Sequence, residues 1–250
     1  PFGNNFSTYF NGSSYQTVPY SSNFDLSAST WTLECWFNTA SFAAGFVIIA
    51  KDTYGVNYDW GLVITNSTTI SCYTAGTATS FVATVPTMTV NTWYHVAYVR
   101  NAGTFKIYLN GTSYSGSSSM SFTNASASTP TIGCSSYNNP GSYITGYVSN
   151  LRLVQGVAVY TTTFTPPTAP LTAVTGTVML VCQSNRFIDT SPKNLTVTNA
   201  GGTPQVQKFS PFSTVTVPTY YSTYFDGTGD YLLVPLSSNL AFGTSDYTVE

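Results

Sequence analysis

Side-chain character along this chain changes with a period of two, and the signal is densest between positions 91 and 111. In Trp93-Tyr94-His95-Val96-Ala97-Tyr98-Val99-Arg100, one row holds Trp93, His95, Ala97 and Val99. The other holds Tyr94, Val96, Tyr98 and Arg100. Large apolar groups in both rows predict a central strand covered on each side. A Gly-containing turn, Asn101-Ala102-Gly103-Thr104, leads to Phe105, Ile107 and Leu109 on one face of the next strand. Asn110-Gly111 then closes a hairpin, since both residues tolerate the positive φ of a type I′ turn. The pattern predicts a β-meander at the heart of an all-β, two-sheet antiparallel β-sandwich.

Other strands are expected at Phe46–Lys51, Asp59–Thr65, Thr69–Tyr73, Phe81–Val85 and Tyr143–Val154, with a hairpin turn at Asn66-Ser67. Ser113–Ser128 reads as a Ser-rich loop with edge-strand character. Tyr137-Asn138-Asn139-Pro140-Gly141 has turn composition. Thr161–Pro170 carries Pro166, Pro167 and Pro170; it cannot be a central strand and predicts an extended arm. Nowhere does a helical period emerge.

Residues 7–34 reappear near the end of the chain. Ser7-Thr8-Tyr9-Phe10-Asn11-Gly12 matches Ser222-Thr223-Tyr224-Phe225-Asp226-Gly227, and Trp31-Thr32-Leu33-Glu34 matches Tyr247-Thr248-Val249-Glu250. A spacing of this length is a domain-sized repeat rather than a solenoid. The expectation is that the chain stops inside a second copy, and that Pro1-Phe2, which echoes Pro211-Phe212, begins at the same seam one repeat earlier.

The order Trp93-Tyr94-His95-Val96-Ala97, Arg100, then Tyr108-Leu109-Asn110-Gly111 resembles the concanavalin A-like lectin/glucanase superfamily, in its laminin G-like branch. Ile132-Gly133 and Gly146-Tyr147-Val148-Ser149-Asn150-Leu151-Arg152-Leu153 follow in that family's order. Tyr9-Phe10-Asn11-Gly12 and Thr32-Leu33-Glu34-Cys35-Trp36-Phe37 fit its opening strands, so the likeness spans most of residues 7–165. It implies a jelly-roll sandwich over 1–175, seam strands over 176–217 and the opening strands of a second laminin G-like repeat over 218–250. The seam segments Val178–Gln183, Phe187–Val197 and Gln205–Phe212 either complete the first domain or open the second. Completion would bury Val178, Leu180, Phe187, Ile188, Leu195 and Val197. Cys182-Gln183-Ser184-Asn185-Arg186-Phe187 and Phe209-Ser210-Pro211-Phe212 resemble the seams of tandem repeats in virion proteins of marine tailed bacteriophages.

Composition narrows the function classes. Only 6% of the 250 residues are charged, against about 25% in ordinary domains. The surface is therefore built from Ser, Thr, Asn, Gly and Tyr, while 19 Tyr and 16 Phe exclude a disordered chain. A net charge of −2 offers no electrostatic footprint for nucleic acid or an anionic membrane. No apolar run is long enough to span a bilayer as a helix, and no signal-peptide pattern follows Pro1. Cys35, Cys72, Cys134 and Cys182 lack metal-ligand spacing; Cys35 and Cys182 read as small buried hydrophobes. Free thiols and one or two disulfides both remain open.

Candidate chemistry is sparse. Glycoside hydrolysis needs two carboxylates flanking the scissile bond, but Glu34 stands alone on its strand face, between Thr32 and Trp36, and reads as a solvent-facing or rim carboxylate. Asp25, Asp52, Asp59 and Asp189 are scattered singly. His95, the sole histidine, has no sequence-adjacent acid or nucleophile and reads as a hydrogen-bonded core residue. No enzyme is expected. No cofactor is expected either, although Asp226-Gly227-Thr228-Gly229-Asp230 is an acidic loop with oxygen ligands for calcium; the matching Asn11-Gly12-Ser13-Ser14 has no carboxylate. Two aromatic-polar clusters, Tyr54, Asn57, Tyr58, Asp59 and Trp60, and Tyr137, Asn138 and Asn139, are candidate ligand-binding loops. Their rings suit sugar stacking and their amides suit hydroxyls; the same residues could instead cover a sandwich edge or an inter-subunit contact. Six Asn-x-Ser/Thr sequons, at Asn5, Asn11, Asn66, Asn110, Asn124 and Asn194, fit chance in so Asn-, Ser- and Thr-rich a chain.

The expectation is thus a structural or adhesive module of a larger tandem-repeat surface protein, on a virion or outside the cell. As a phage fibre, appendage or decoration component it would bind host-surface glycans; a bacterial surface adhesin or extracellular fibre subunit is the alternative. Partners would be neighbouring repeats or subunits and cell-surface polysaccharide, without nucleic acid or membrane insertion.

Overall fold

The computed structural model describes residues 5–26, 30–53, 57–74, 77–116, 127–136 and 141–213. Fifteen strands and one 3-10 turn, Ser22–Phe24, make up the described regular structure. β1 (Ser7–Asn11), β2 (Ser14–Thr17), β3 (Trp31–Thr39), β4 (Phe46–Thr53) and β5 (Asn57–Asn66) come first. β6 (Thr69–Thr74), β7 (Thr77–Thr84), β8 (Tyr94–Asn101), β9 (Thr104–Leu109) and β10 (Thr112–Tyr114) follow. β11 (Thr131–Ile132), β12 (Thr145–Gln155), β13 (Thr177–Val181), β14 (Thr198–Gly201) and β15 (Gln205–Gln207) complete the set. One sheet runs β10-β9-β8-β3-β12-β1-β15, with β13 also beside β12, and the other β14-β2-β11-β4-β5-β6-β7. All pairings are antiparallel.

The meander forms as its sequence requires. Ala102 and Gly103 have φ of 48° and 86° between β8 and β9, and Asn110 and Gly111 have 47° and 80° between β9 and β10. Both turns thus hold positive φ at their two central positions, as type I′ geometry demands. Odd residues of β3 (Trp31, Leu33, Cys35, Phe37) enter the core between the sheets, where they join Phe10, Ile48, Leu62, Val96 and Val148. Even residues face outward, yet Thr32, Glu34 and Asn38 are also buried. For Thr32 and Glu34 the chain entering the Pro-rich arm, residues 157–164, explains this. Thr32 Oγ1 donates to Val157 O at 3.1 Å, and Tyr160 and Phe164 pack on Ala97, Val99 and Tyr108. Both rows of β8 are apolar because one meets the opposite sheet and the other meets the arm.

β12 bends at a bulge between Ser149 and Arg152, where Asn150 takes a φ of 54°. Its Oδ1 accepts the Leu171 N–H at 2.7 Å, which pins the far end of the arm. The bulged stretch re-aims the strand and frees a side chain for that bond.

The seam strands ladder onto the first sandwich. β13 pairs the second half of β12, β15 pairs β1 and β14 pairs β2. Val178 and Leu180 are buried and Phe187, Ile188, Leu195 and Val197 are half-buried. The stretch 182–197 is not a strand, contrary to the reading of Phe187–Val197 as one. The Asp189 carboxylate accepts the backbone N–H groups of Leu180, Ser191 and Leu195 and the Ser191 hydroxyl, so local turns replace a ladder. This compact unit runs Pro1–Ser213, so the described seam strands belong with the first sandwich. The expected second copy over 218–250 lies outside the described residues.

Candidate functional site

The described residues that flank both aromatic-polar loops meet at one point of the second sheet. Asp52, at the end of β4, is buried and accepts four donors. These are the Tyr73 hydroxyl at 2.8 Å, the Ser135 hydroxyl at 2.6 Å, the Ser136 N–H at 2.9 Å and the Ser136 hydroxyl. Asp52 stands just before the tip of the β4–β5 hairpin, while Ser135 pairs with Gly141 at the base of the other loop. A single carboxylate thus ties the feet of two loops far apart in sequence. Asn57 and Tyr58 lie in β5 opposite Thr53 and Asp52. Tyr54, Tyr137, Asn138 and Asn139 lie outside the described residues, as do Asp226 and Asp230.

Asp59 and Trp60, expected at the rim, turn inward. Trp60 is 2% exposed and its indole N–H donates to Phe24 O at 2.7 Å. Asp59 Oδ2 accepts from Lys51 Nζ at 2.8 Å. The period of β5 sends the large ring into the sandwich, which leaves its acid neighbour beside a buried cation. Lys51, which no sequence signal marked, is 0% exposed. Its Nζ also meets Asp25 Oδ1 at 2.8 Å and sits 5.4 Å from the centroid of the Tyr20 ring. Tyr20 in turn donates its hydroxyl to Asp25 Oδ2 at 2.9 Å.

On the outward face of the first sheet, Glu34 is the centre of a second network and is not solvent-facing. It is 0% exposed beneath the arm. Arg152 grips Glu34 Oε1 through Nε (3.0 Å) and Nη2 (2.6 Å). His95 Nε2 (3.1 Å) and the Tyr160 hydroxyl (2.7 Å) meet Oε2. Burial alone would raise this carboxyl. The His95 hydrogen bond, the Arg152 charge and the Tyr160 hydroxyl outweigh it and hold Glu34 below the usual carboxylate range. The Tyr160 phenol is raised, first by burial and then by the Glu34 charge. His95 is the hydrogen-bonded core residue expected. Its acid was invisible because Glu34 lies on another strand, where Trp36 pairs with His95 and Glu34 with Ala97.

Beyond this network the same face carries Trp36, Trp93 and Tyr147 under Phe209 and Phe212, with ring centroids 4.9–5.8 Å apart for Tyr147–Phe209, Trp93–Phe209 and Trp36–Phe212. The seam segment thus straps the sheet with aromatic contacts. The four cysteines are free and buried. Burial pushes Cys134 and Cys182 up to about 12. Among the described residues, no group of three or more His, Cys, Asp or Glu side chains could hold a metal ion.

A family model of the concanavalin A-like lectin/glucanases superfamily, in its laminin G form, matches residues 4–168. The chain belongs to that superfamily. A candidate carbohydrate-binding protein from Bacteroides ovatus superposes with a TM-score of 0.57 at 19% identity, covering 83% of this chain and 60% of its own. The chain therefore spans 60% of that relative's length. A native heptameric SAP-like pentraxin from Limulus polyphemus gives a TM-score of 0.48 at 15% identity, over 62% of this chain and 77% of its own. Domains LG4-5 of the mouse laminin α1 chain give 0.42 at 16%, over 63% and 44%. Comparison with the curated proteins gives no sequence match. At 19% identity the Bacteroides ovatus likeness speaks to fold alone.

Proposed function

We propose that this chain is a non-enzymatic adhesion module of a longer tandem-repeat surface protein, a fibre, appendage or decoration component of a tailed phage, which holds host-surface glycans at the rim of its second sheet. The observation that carries the reading is Asp52. One buried carboxylate fastens the described feet of both aromatic-polar loops, Ser135-Ser136 and the end of β4, so two segments far apart in sequence share one base. Neutral polar and aromatic side chains suit uncharged sugar, whose apolar ring faces stack and whose hydroxyls need paired donors and acceptors. The domain-sized repeat supports multivalent display, in which weak sites gain avidity. The description of the Bacteroides ovatus relative points the same way. Glu34 supports the non-enzymatic part: it is sealed under the arm and neutralised by Arg152, with no access for a glycosidic bond.

Purified protein applied to arrayed bacterial and algal polysaccharides should bind at least one of them and release no reducing sugar. Tyr54→Ala combined with Asn138→Ala should weaken binding at least about tenfold, the loss of roughly 1.4 kcal/mol, with the thermal midpoint unchanged. Undiminished binding by that double variant would move the site elsewhere. Turnover of any of these polysaccharides would end the non-enzymatic reading. Antibody labelling of purified phage particles tests the virion assignment, and labelling confined to bacterial cell surfaces would replace it with an adhesin.

A further inference from the structure

Lys51 is a buried amine with more partners than an ion pair needs. Its Nζ lies 2.8 Å from Asp25 Oδ1 and 2.8 Å from Asp59 Oδ2, and neither the Lys51 nor the Asp59 side chain is more than 1% exposed. A lysine buried only for stability is poorly explained, because removing the charges from water costs several kcal/mol and apolar replacements are often no worse. Reaction chemistry explains the arrangement better. An amine excluded from water is a nucleophile once it loses a proton. Here one carboxyl stands within near-attack range and a second carboxylate stands on the same nitrogen to carry protons.

The geometry points to a self-formed amide cross-link between Lys51 and Asp25, made without cofactor or partner. Asp25 is the acceptor because Tyr20 donates its hydroxyl to the other carboxyl oxygen at 2.9 Å, where negative charge grows during attack. Asp59 is the proton carrier because it is the more deeply buried acid and touches the nucleophile directly. In the first step a proton passes from the Lys51 ammonium by way of Asp59 to the Asp25 carboxylate, leaving a neutral amine and a neutral acid. Nζ then adds to Cγ of Asp25 to give a tetrahedral centre whose oxyanion faces Tyr20. Asp59 takes a proton from that nitrogen and delivers it to the departing hydroxyl. The Nζ–Cγ bond forms, one Cγ–O bond breaks and one water leaves, so an ammonium and a carboxylate become an amide with no change of oxidation state.

The surroundings hold the reacting groups still. The Trp60 indole fastens the carbonyl of Phe24, the residue before Asp25, to the strand that bears Asp59. The Tyr20 ring flanks the amine. The link joins positions 26 apart and ties the loop after β2 to β4. Such a bond suits a surface module, because it survives conditions that unfold the rest.

Intact-mass spectrometry of the denatured protein tests this. The expected mass is that of the sequence less one water, and a digest should contain a branched peptide joining the Asp25 and Lys51 segments. Lys51→Arg and Asp59→Asn should each restore the full mass. A wild-type protein of full sequence mass would overturn the proposal whatever the variants do. A water loss mapped to another site, or a branch from Lys51 to Asp59, would overturn it too. A cross-link that persists in Asp59→Asn would remove Asp59 from the proton-carrying role.

Discussion

Glu34 shows how a fully buried acid can be kept ionised. Its three partners come from β8, β12 and the arm, so one side chain joins two strands and a loop. Because its folded pKa lies below the ordinary value, its contribution is fully present above the unfolded pKa of about 4.3. That contribution is lost as pH falls through the lower, folded value. Glu34→Gln strands the buried Arg152 guanidinium without its counter-charge and should cost about 3–5 kcal/mol at neutral pH. The variant's thermal midpoint should then change less than the wild type's between pH 7 and pH 3. Parallel curves from the two proteins would show that Glu34 does not set the acid limit. The thiols give a simpler expectation. Burial raises all four, with Cys134 and Cys182 at about 12, so a disulfide reagent near neutral pH should modify none until denaturant is added. Rapid reaction in the native protein would contradict this burial.

The β9–β10 hairpin and the arm are one mechanical piece. Gly111 accepts the Phe164 N–H at 3.0 Å, and a Cβ at Gly111 would run into the Phe164 carbonyl. Gly111→Val therefore combines backbone strain of about 1–3 kcal/mol with displacement of the arm that seals Glu34. A fall of about 2–4 °C in Tm per kcal/mol is expected. An unchanged midpoint would mean that the arm docks independently of this turn. The hairpin was legible in Asn110-Gly111 because turn chemistry is local. The arm's path was not, because prolines forbid a strand but do not say which surface the chain then covers. The same holds at the rim. Periodicity could place Asp59 and Trp60 on a strand, but not choose which row faces the core, since β4 and β5 carry bulges that shift the register. Lys51, Arg152 and Asp52 left no local trace, because their partners lie on other strands.

For the compact unit as a whole, the seam strands decide stability. β13 covers one half of β12, and Met179 and Val181 join the core between the sheets. A chain ending at Gly176 would expose the edges of β1 and β2, uncover half of β12 and open a hole in the core. Such edges recruit strands from other molecules. The 1–176 fragment should therefore aggregate or elute as oligomers, whereas 1–213 should fold alone and unfold cooperatively, as chromatography and circular dichroism would show. A monomeric, cooperative 1–176 would make the seam dispensable. Sequence left the seam's destination open because its apolar residues would satisfy either neighbour equally, and only pairing geometry separates the two.

That geometry also sets how the unit answers to tension. β1 and β15 are antiparallel, with Ser7 facing Gln207 and Tyr9 facing Gln205, so the strand that enters and the strand that leaves meet at the same end of the pair. Pulling residues 5 and 213 apart loads their hydrogen bonds one after another, as in a zip, rather than all together in shear. The ring contacts of Phe212 and Phe209 release first, then β15 peels, and then the β14–β2 pair opens from Gly201 and Ser14. The peel then reaches β13, whose side chains are locked in the core. The unit should thus yield length first from residues 182–213, giving up the edge strands β14 and β15 while β1 to β13 stay paired, and behave as a spring with a stop.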